Sequence, residues 1–186
     1  MKLKSIAKLI KSKGQATLYS DVECEEQWLG VGDAIYLLTR LPWFNDIDTL
    51  FTVLDLSEKE RDKIAANYST LPKHLCFKDV WNGERPLLTS ALTLALGELE
   101  LIPARTSMGL RFFETQYLGP VSDMSDYDFI ERRMDNDSPY IAVKQGLCIK
   151  ALIIPDALEK TRLPEELQTL HSEMMTTMSY LASKPE

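Results

Sequence analysis

The sequence predicts an α+β fold: a mostly antiparallel sheet built from hairpins, with a short N-terminal helix, a middle helical insertion and an amphipathic C-terminal helix. Three observations point there. Apolar residues recur at helical spacing near both ends of the chain. The stretches "LTLALGELELIP" and "PYIAVKQGLCIKALIIP" carry β-favouring residues on either side of a glycine, the pattern of two strands and a turn. Between them and the N-terminus, "SEKE" has the Ser and Glu spacing of a helix capping box.

Element by element, Leu3, Ile6, Leu9 and Ile10 share one face of a helix over residues 3–12, with Lys4, Lys8 and Lys11 on another and Gly14 to end it. "QATLY" and "EQWLGV" read as strands bracketing an acidic turn, and "DAIYLLT" as a third strand before Pro42. Asp48 is placed to cap a helix through "TLFTVL", and the capping box of Ser57 and Glu60 opens a helix whose pattern runs to about Tyr68. "LPKHLCFKDVWNGERP" is turn-rich and irregular. Hairpins follow at Gly97-Glu98 and at Gln145-Gly146, with another turn at Gly109. Leu163, Leu167, Leu170, Met174, Met178 and Leu181 trace the apolar stripe of the C-terminal helix behind Pro164.

With 186 residues, 45% hydrophobic and 26% charged, one domain spanning residues 1–186 is expected, and a disordered chain is not. No apolar run approaches the ~20 residues that span a bilayer, so no membrane association is expected. The opening residues lack the apolar core and cleavage site of a signal peptide, which favours the cytosol.

The formal net charge of −7 is unevenly distributed. Residues 1–13 hold five lysines and no acid, whereas residues 14–58 hold nine acids and one base, Arg40. Within that acidic stretch, "SDVECEEQWLGVGDAIYLL" concentrates Asp21, Glu23, Glu25, Glu26 and Asp33. A second run contains Asp123, Asp126 and Asp128. Charge runs usually just solvate a surface. The sharper reading is an acidic face that competes with nucleic-acid phosphates for a basic groove.

Catalytic and cofactor patterns are missing from the sequence. The D-x-E-x-E-E spacing lacks the Gly and distal Glu of a calcium loop, and "GVGD" lacks the third glycine and the helix of a dinucleotide loop. Gly30 and Gly32 are expected to permit a bend or bulge. Cys24, Cys76 and Cys148 form no CxxC pair, and His74 with Cys76 lacks a second pair of ligands, so neither metal nor cofactor is expected. Cys24 sits among acids that disfavour its thiolate. The lysine-bearing N-terminal helix has no interleaved aromatics, so direct DNA binding is not expected either.

Four blocks, "MKLKSIAKLIKSKGQATLYSD", "QWLGVGDAIYLLTRLP", "TSMGLRFFETQYLGPVSD" and "PYIAVKQGLCIKALIIP", together resemble a family of small proteins carried by phages and prophages of gut clostridia. That family is similar to anti-CRISPR proteins that inhibit the RNA-guided type II effector nuclease. The resemblance implies a non-enzymatic inhibitor in the cytoplasm of a bacterial host, binding the type II CRISPR effector nuclease with its guide RNA and hindering DNA binding or cleavage. It transfers no individual residues. Charge clustering nominates Asp21, Glu23, Glu25, Glu26 and Asp33 as the contact group, with Asp123, Asp126 and Asp128 in reserve. Two alternatives stay open. One is a phage protein that binds a nucleotide signal, with Arg105, Arg111 and Lys144 as its cations; the other is an accessory of phage DNA metabolism.

Overall fold

The computed structural model describes residues 1–89, 92–122 and 126–157, together with Ser172, Glu173 and Thr176. The apolar stripe of the expected C-terminal helix, Leu163, Leu167, Leu170, Met174, Met178 and Leu181, lies outside the described residues. Among those described, the fold is α+β with a mostly antiparallel sheet. No described helix is long and apolar enough to cross a membrane.

Helix α1 (Leu3–Lys13) forms as its periodicity predicts, burying Ile6, Ala7, Leu9 and Ile10. Gly14 ends it at φ 63, a left-handed conformation that costs glycine little, and its N–H closes on the Ile10 carbonyl. The chain then forms the meander β1 (Gln15–Asp21), β2 (Glu26–Val31) and β3 (Ala34–Leu37). Buried Gln27 joins this meander to the next loop: its Nε2 donates to Ser20 Oγ (2.9 Å) and Phe44 O (2.7 Å), and its Oε1 accepts from Phe44 N (2.8 Å).

Helix α2 (Ile47–Val53) begins earlier than the sequence suggests. Its cap is Asp46 rather than Asp48, because the Asp46 carboxylate accepts from Thr49 N at 2.7 Å and Thr49 Oγ1 at 2.8 Å. The capping box of Ser57 and Glu60 is present, but α3 (Glu58–Arg61) makes a single turn. The helical expectation to Tyr68 fails there. Tight contacts from Lys63 N to Glu60 O and Ile64 N to Arg61 O wind the chain off the helix, and Ala65 N then bonds Gly14 O at 2.8 Å. The following β4 (Ala65–Ser69) adds parallel to β1, the one parallel pairing of the large sheet among the described residues. Tertiary pairing has overridden local propensity.

Residues 70–84 are irregular, as the composition of residues 71–86 predicts for all but its last two positions. They lead to β5 (Arg85–Pro86) and to a second, four-stranded sheet of β6 (Leu88–Thr89), β7 (Leu94–Leu96), β8 (Leu99–Thr106) and β9 (Gly109–Glu114). A 3-10 helix (Thr115–Val121) returns the chain to the large sheet, which β10 (Asp128–Arg133), β11 (Pro139–Gln145) and β12 (Cys148–Ile153) complete. The eight strands run in the order β4-β1-β2-β3-β12-β11-β10-β5. Neither pairing of β2 shows a bulge; the register shift lies in β11–β12, between Val143 and Lys144.

Both faces of this sheet are covered. Leu18, Leu29, Tyr36, Ile141, Val143 and Ile153 belong to one core with the buried side of α1, α2 and the second sheet's Ala104 and Phe113. On the opposite face, Trp28, Ile35, Tyr140, Ile149 and Leu152 pack against Leu71, Leu75 and Phe77 of the irregular segment. Residues 70–84 therefore act as a strap across a sheet face that would otherwise expose apolar side chains to water.

The candidate partner-binding surface

The acidic turn is a four-residue loop joining β1 to β2, closed by the pair Asp21 and Glu26. The Asp21 carboxylate accepts from Glu23 N at 3.0 Å and Cys24 N at 3.2 Å, so this acid is spent on shaping its own turn. Glu25 takes φ 54 to bring the chain back into β2. Glu23 and Glu25 are exposed and make no ion pair with any described residue. Val22 at the same tip is 78% exposed. Glu26 is half-buried, and its carboxyl is held above the ordinary value by burial and then by the nearby Asp79. The Cys24 thiol is pushed up, first by its contact with Asp21 and then by the other carboxylates around it, which agrees with the sequence expectation.

The structure divides the nominated acids. Asp33 lies in the β2–β3 turn, at the opposite end of β2 from the acidic loop. The five residue steps of β2 alone separate them by about 17 Å. Asp33 is also engaged: its N–H donates to Tyr117 Oη at 3.2 Å, and Tyr117 Oη donates to its Oδ2 at 3.3 Å. Asp126 and Asp128 are exposed, and the register from β2 through β3, β12 and β11 to β10 places them at the same end of the sheet as the acidic loop. Four strand spacings, about 19 Å, separate β2 from β10. Asp123 lies outside the described residues. One sheet end therefore carries Glu23, Glu25, Glu26, Asp126 and Asp128.

Both glycines of "GVGD" lie against tyrosine side chains. Gly32 takes φ +59 in the two-residue β2–β3 turn, where a Cβ would stand 2.7 Å from Tyr117 Oη. Gly30 leaves room for the Tyr19 ring, 2.8 Å from where its Cβ would lie. Of the expected bend or bulge, β2 shows no bulge, and Gly32 makes the turn while Gly30 serves packing. Among the described residues, no group of three or more His, Cys, Asp or Glu is arranged to hold a metal ion.

A cluster of buried charge was not visible in the sequence. Arg132 of β10 is fully buried, and its guanidinium donates to the carbonyls of Cys76 (3.0 Å), Lys78 (2.9 Å) and Asp79 (3.1 Å) as well as to Glu84. Lys144 donates to Asp79 O at 2.7 Å and to both oxygens of Glu84 at 3.1 Å. Burial works against the charged Glu84, but Arg132 and Lys144 outweigh it and hold the carboxyl below its ordinary value. On the other face of β10, buried Glu131 accepts from Ser107 N at 3.0 and 2.9 Å and from the Ser107 hydroxyl, tying in the β8–β9 turn.

This cluster removes Lys144 from the cations available to a nucleotide. Arg105 stands opposite Leu110 and Arg111 opposite Ala104 in the β8–β9 register, so the two arginines project from opposite faces. The three cations nominated for a nucleotide signal do not converge.

No protein-family model, curated protein or solved structure matches this chain.

Proposed function

We propose that the protein is a non-enzymatic inhibitor that binds a guide-RNA-loaded type II CRISPR effector nuclease through the acidic end of its large sheet. The observation that carries this reading is the β1–β2 loop: exposed Glu23 and Glu25 have no cation partner among the described residues, while the Asp21 carboxylate secures the loop's backbone. Free carboxylates on a shaped turn lose little conformational freedom on docking. They pair with arginine and lysine through charge-assisted hydrogen bonds, as phosphates do. Effector nucleases of this kind hold nucleic acid in a positively charged channel. The sequence resemblance supplies the identity of the partner, and the acidic sheet end supports the mode of contact.

Asp126 and Asp128 extend the same surface as a secondary contact, and Asp33 drops out of it. Binding through this surface weakens as salt rises, because exposed charges are screened over about 8 Å at physiological ionic strength. The test is complex formation with guide-loaded nuclease on size-exclusion chromatography, together with target cleavage. The paired substitutions Glu23→Lys and Glu25→Lys should abolish both complex and inhibition while leaving the fold intact; unchanged inhibition would move the contact elsewhere.

A further inference from the structure

A second feature at the same end of the sheet has the opposite electrostatic character. Between the start of α1, the turn after β3 and the β11–β12 hairpin lies a cleft of about 740 Å³. Arg40 and Lys150 line it with Thr39 and Gln145, Leu3 and Leu41 add apolar wall, and no carboxylate is among its described lining residues. Its volume falls within the ~300–1,000 Å³ range of small-molecule sites.

Neither Arg40 nor Lys150 makes an ion pair or side-chain hydrogen bond among the described residues, in contrast to Arg132 and Lys144. Glu26 is near enough for Lys150 to act on it electrostatically, but the two form no ion pair. Arg40 also sits at φ 61, a conformation that an L side chain adopts rarely and that clusters at ligand sites. It is the single base of residues 14–58, and the fold carries it beside a lysine 110 positions later in the chain.

We propose that this cleft binds the phosphate of a nucleotide-sized small molecule. A guanidinium and an ammonium, helped by the Thr39 hydroxyl and the Gln145 amide, are the donor set a phosphate needs, and the two leucines suit an apolar or ring portion. A free nucleotide fits better than a nucleic-acid strand. Glu23, Glu25, Asp126 and Asp128 at the same sheet end would repel the flanking phosphates of a polymer. The inference does not depend on the nuclease: it uses a different set of side chains and a different ligand.

The test is calorimetric titration and thermal shift of the full chain with AMP, inorganic phosphate, adenosine and a short RNA oligonucleotide. AMP should bind and raise Tm, inorganic phosphate should bind more weakly, and adenosine should not bind. Arg40→Gln and Lys150→Gln should each weaken AMP by about tenfold, the loss of one charge-assisted contact, while Arg111→Gln on the second sheet leaves it unchanged. Circular dichroism checks that each variant is folded. The proposal is overturned if AMP gives neither heat nor a Tm shift, if adenosine or inorganic phosphate matches AMP, if the oligonucleotide binds more tightly than AMP, or if either cleft variant binds AMP undiminished.

Discussion

Replacing Glu84 with Gln should loosen the strap that covers the second face of the large sheet. Among the described residues, Glu84 is the carboxylate that contacts both Arg132, which is fully buried, and Lys144, whose side chain is 5% exposed. Glutamine keeps the size but removes the charge, leaving two buried cations facing backbone carbonyls and an amide. Removing one partner of a buried ion pair costs about 3–5 kcal/mol. Glu84 itself keeps 22% of its side-chain surface in water, so the lower end, about 3 kcal/mol, is the expectation. With a urea slope of about 2 kcal/mol per molar, typical for a small protein, the unfolding midpoint should fall by about 1.5 M. Trp28 packs edge-on against Phe77 of the strap at 4.9 Å, so its fluorescence reports the strap directly. A double-mutant cycle separates charge from packing: Lys144→Met should cost markedly less in the Glu84→Gln background than in the native protein. A midpoint change below about 0.3 M, or strict additivity in the cycle, would refute the view that this cluster holds the strap down.

Gly32→Ala should destabilise by about 2 kcal/mol, since it combines φ +59 with a Cβ 2.7 Å from Tyr117 Oη. Gly97→Ala, at φ +60 with nothing within 4 Å, should cost only about 1 kcal/mol, and equal losses on urea unfolding would dismiss the Tyr117 contact. Glu25→Gly should stabilise by about 0.5–1 kcal/mol by relieving φ 54, which thermal unfolding would register. Stability should also fall as the pH drops from about 5 toward 2, because several carboxyls titrate below their usual value near 4. Glu60 is drawn to about 2 by Lys11 and the Ser57 cap, Asp46 is lowered by the Thr49 N–H, and Glu84 is lowered by Arg132 and Lys144 against burial. Depressed carboxyls stabilise above their unfolded pKa and lose that contribution as they protonate, whereas the raised Glu26 acts in the opposite sense. Urea midpoints at pH 7, 4 and 3 should decline in that order, and Glu60→Gln should flatten the decline.

The elements that could be read from the chain are those whose local chemistry agrees with their final surroundings. Gly14 ends α1, Ser57 and Glu60 form their box, and the hairpins turn near Gly97 and Gly146. β4 was hidden because Glu58–Arg61 is helical and nothing in "AANYS" announces that Gly14 O will pair with Ala65 N. β10 was hidden behind its charges: "DFIERR" reads as a solvated run, yet alternation sends Arg132 into the strap and Glu131 toward Ser107. Buried charge needs partners distant in sequence, and those partners lie 53 to 56 residues away for Arg132 carbonyl contacts. The candidate surface was partly legible. Clustering found the acidic loop, but a net count of acids cannot tell that β2 carries Asp33 to the other end of the sheet or that Tyr117 occupies it. The cleft of Arg40 and Lys150 exists only once β3 and β12 are neighbours.

The most direct test of the proposed function is a pull-down at low salt, in which guide-loaded type II effector nuclease is offered to the native protein and to the variant carrying Glu23→Lys and Glu25→Lys. The native protein should be retained and should block target cleavage, with retention lost as salt is raised and lost in the folded variant. Absence of any complex with the native protein at low salt would contradict the proposal.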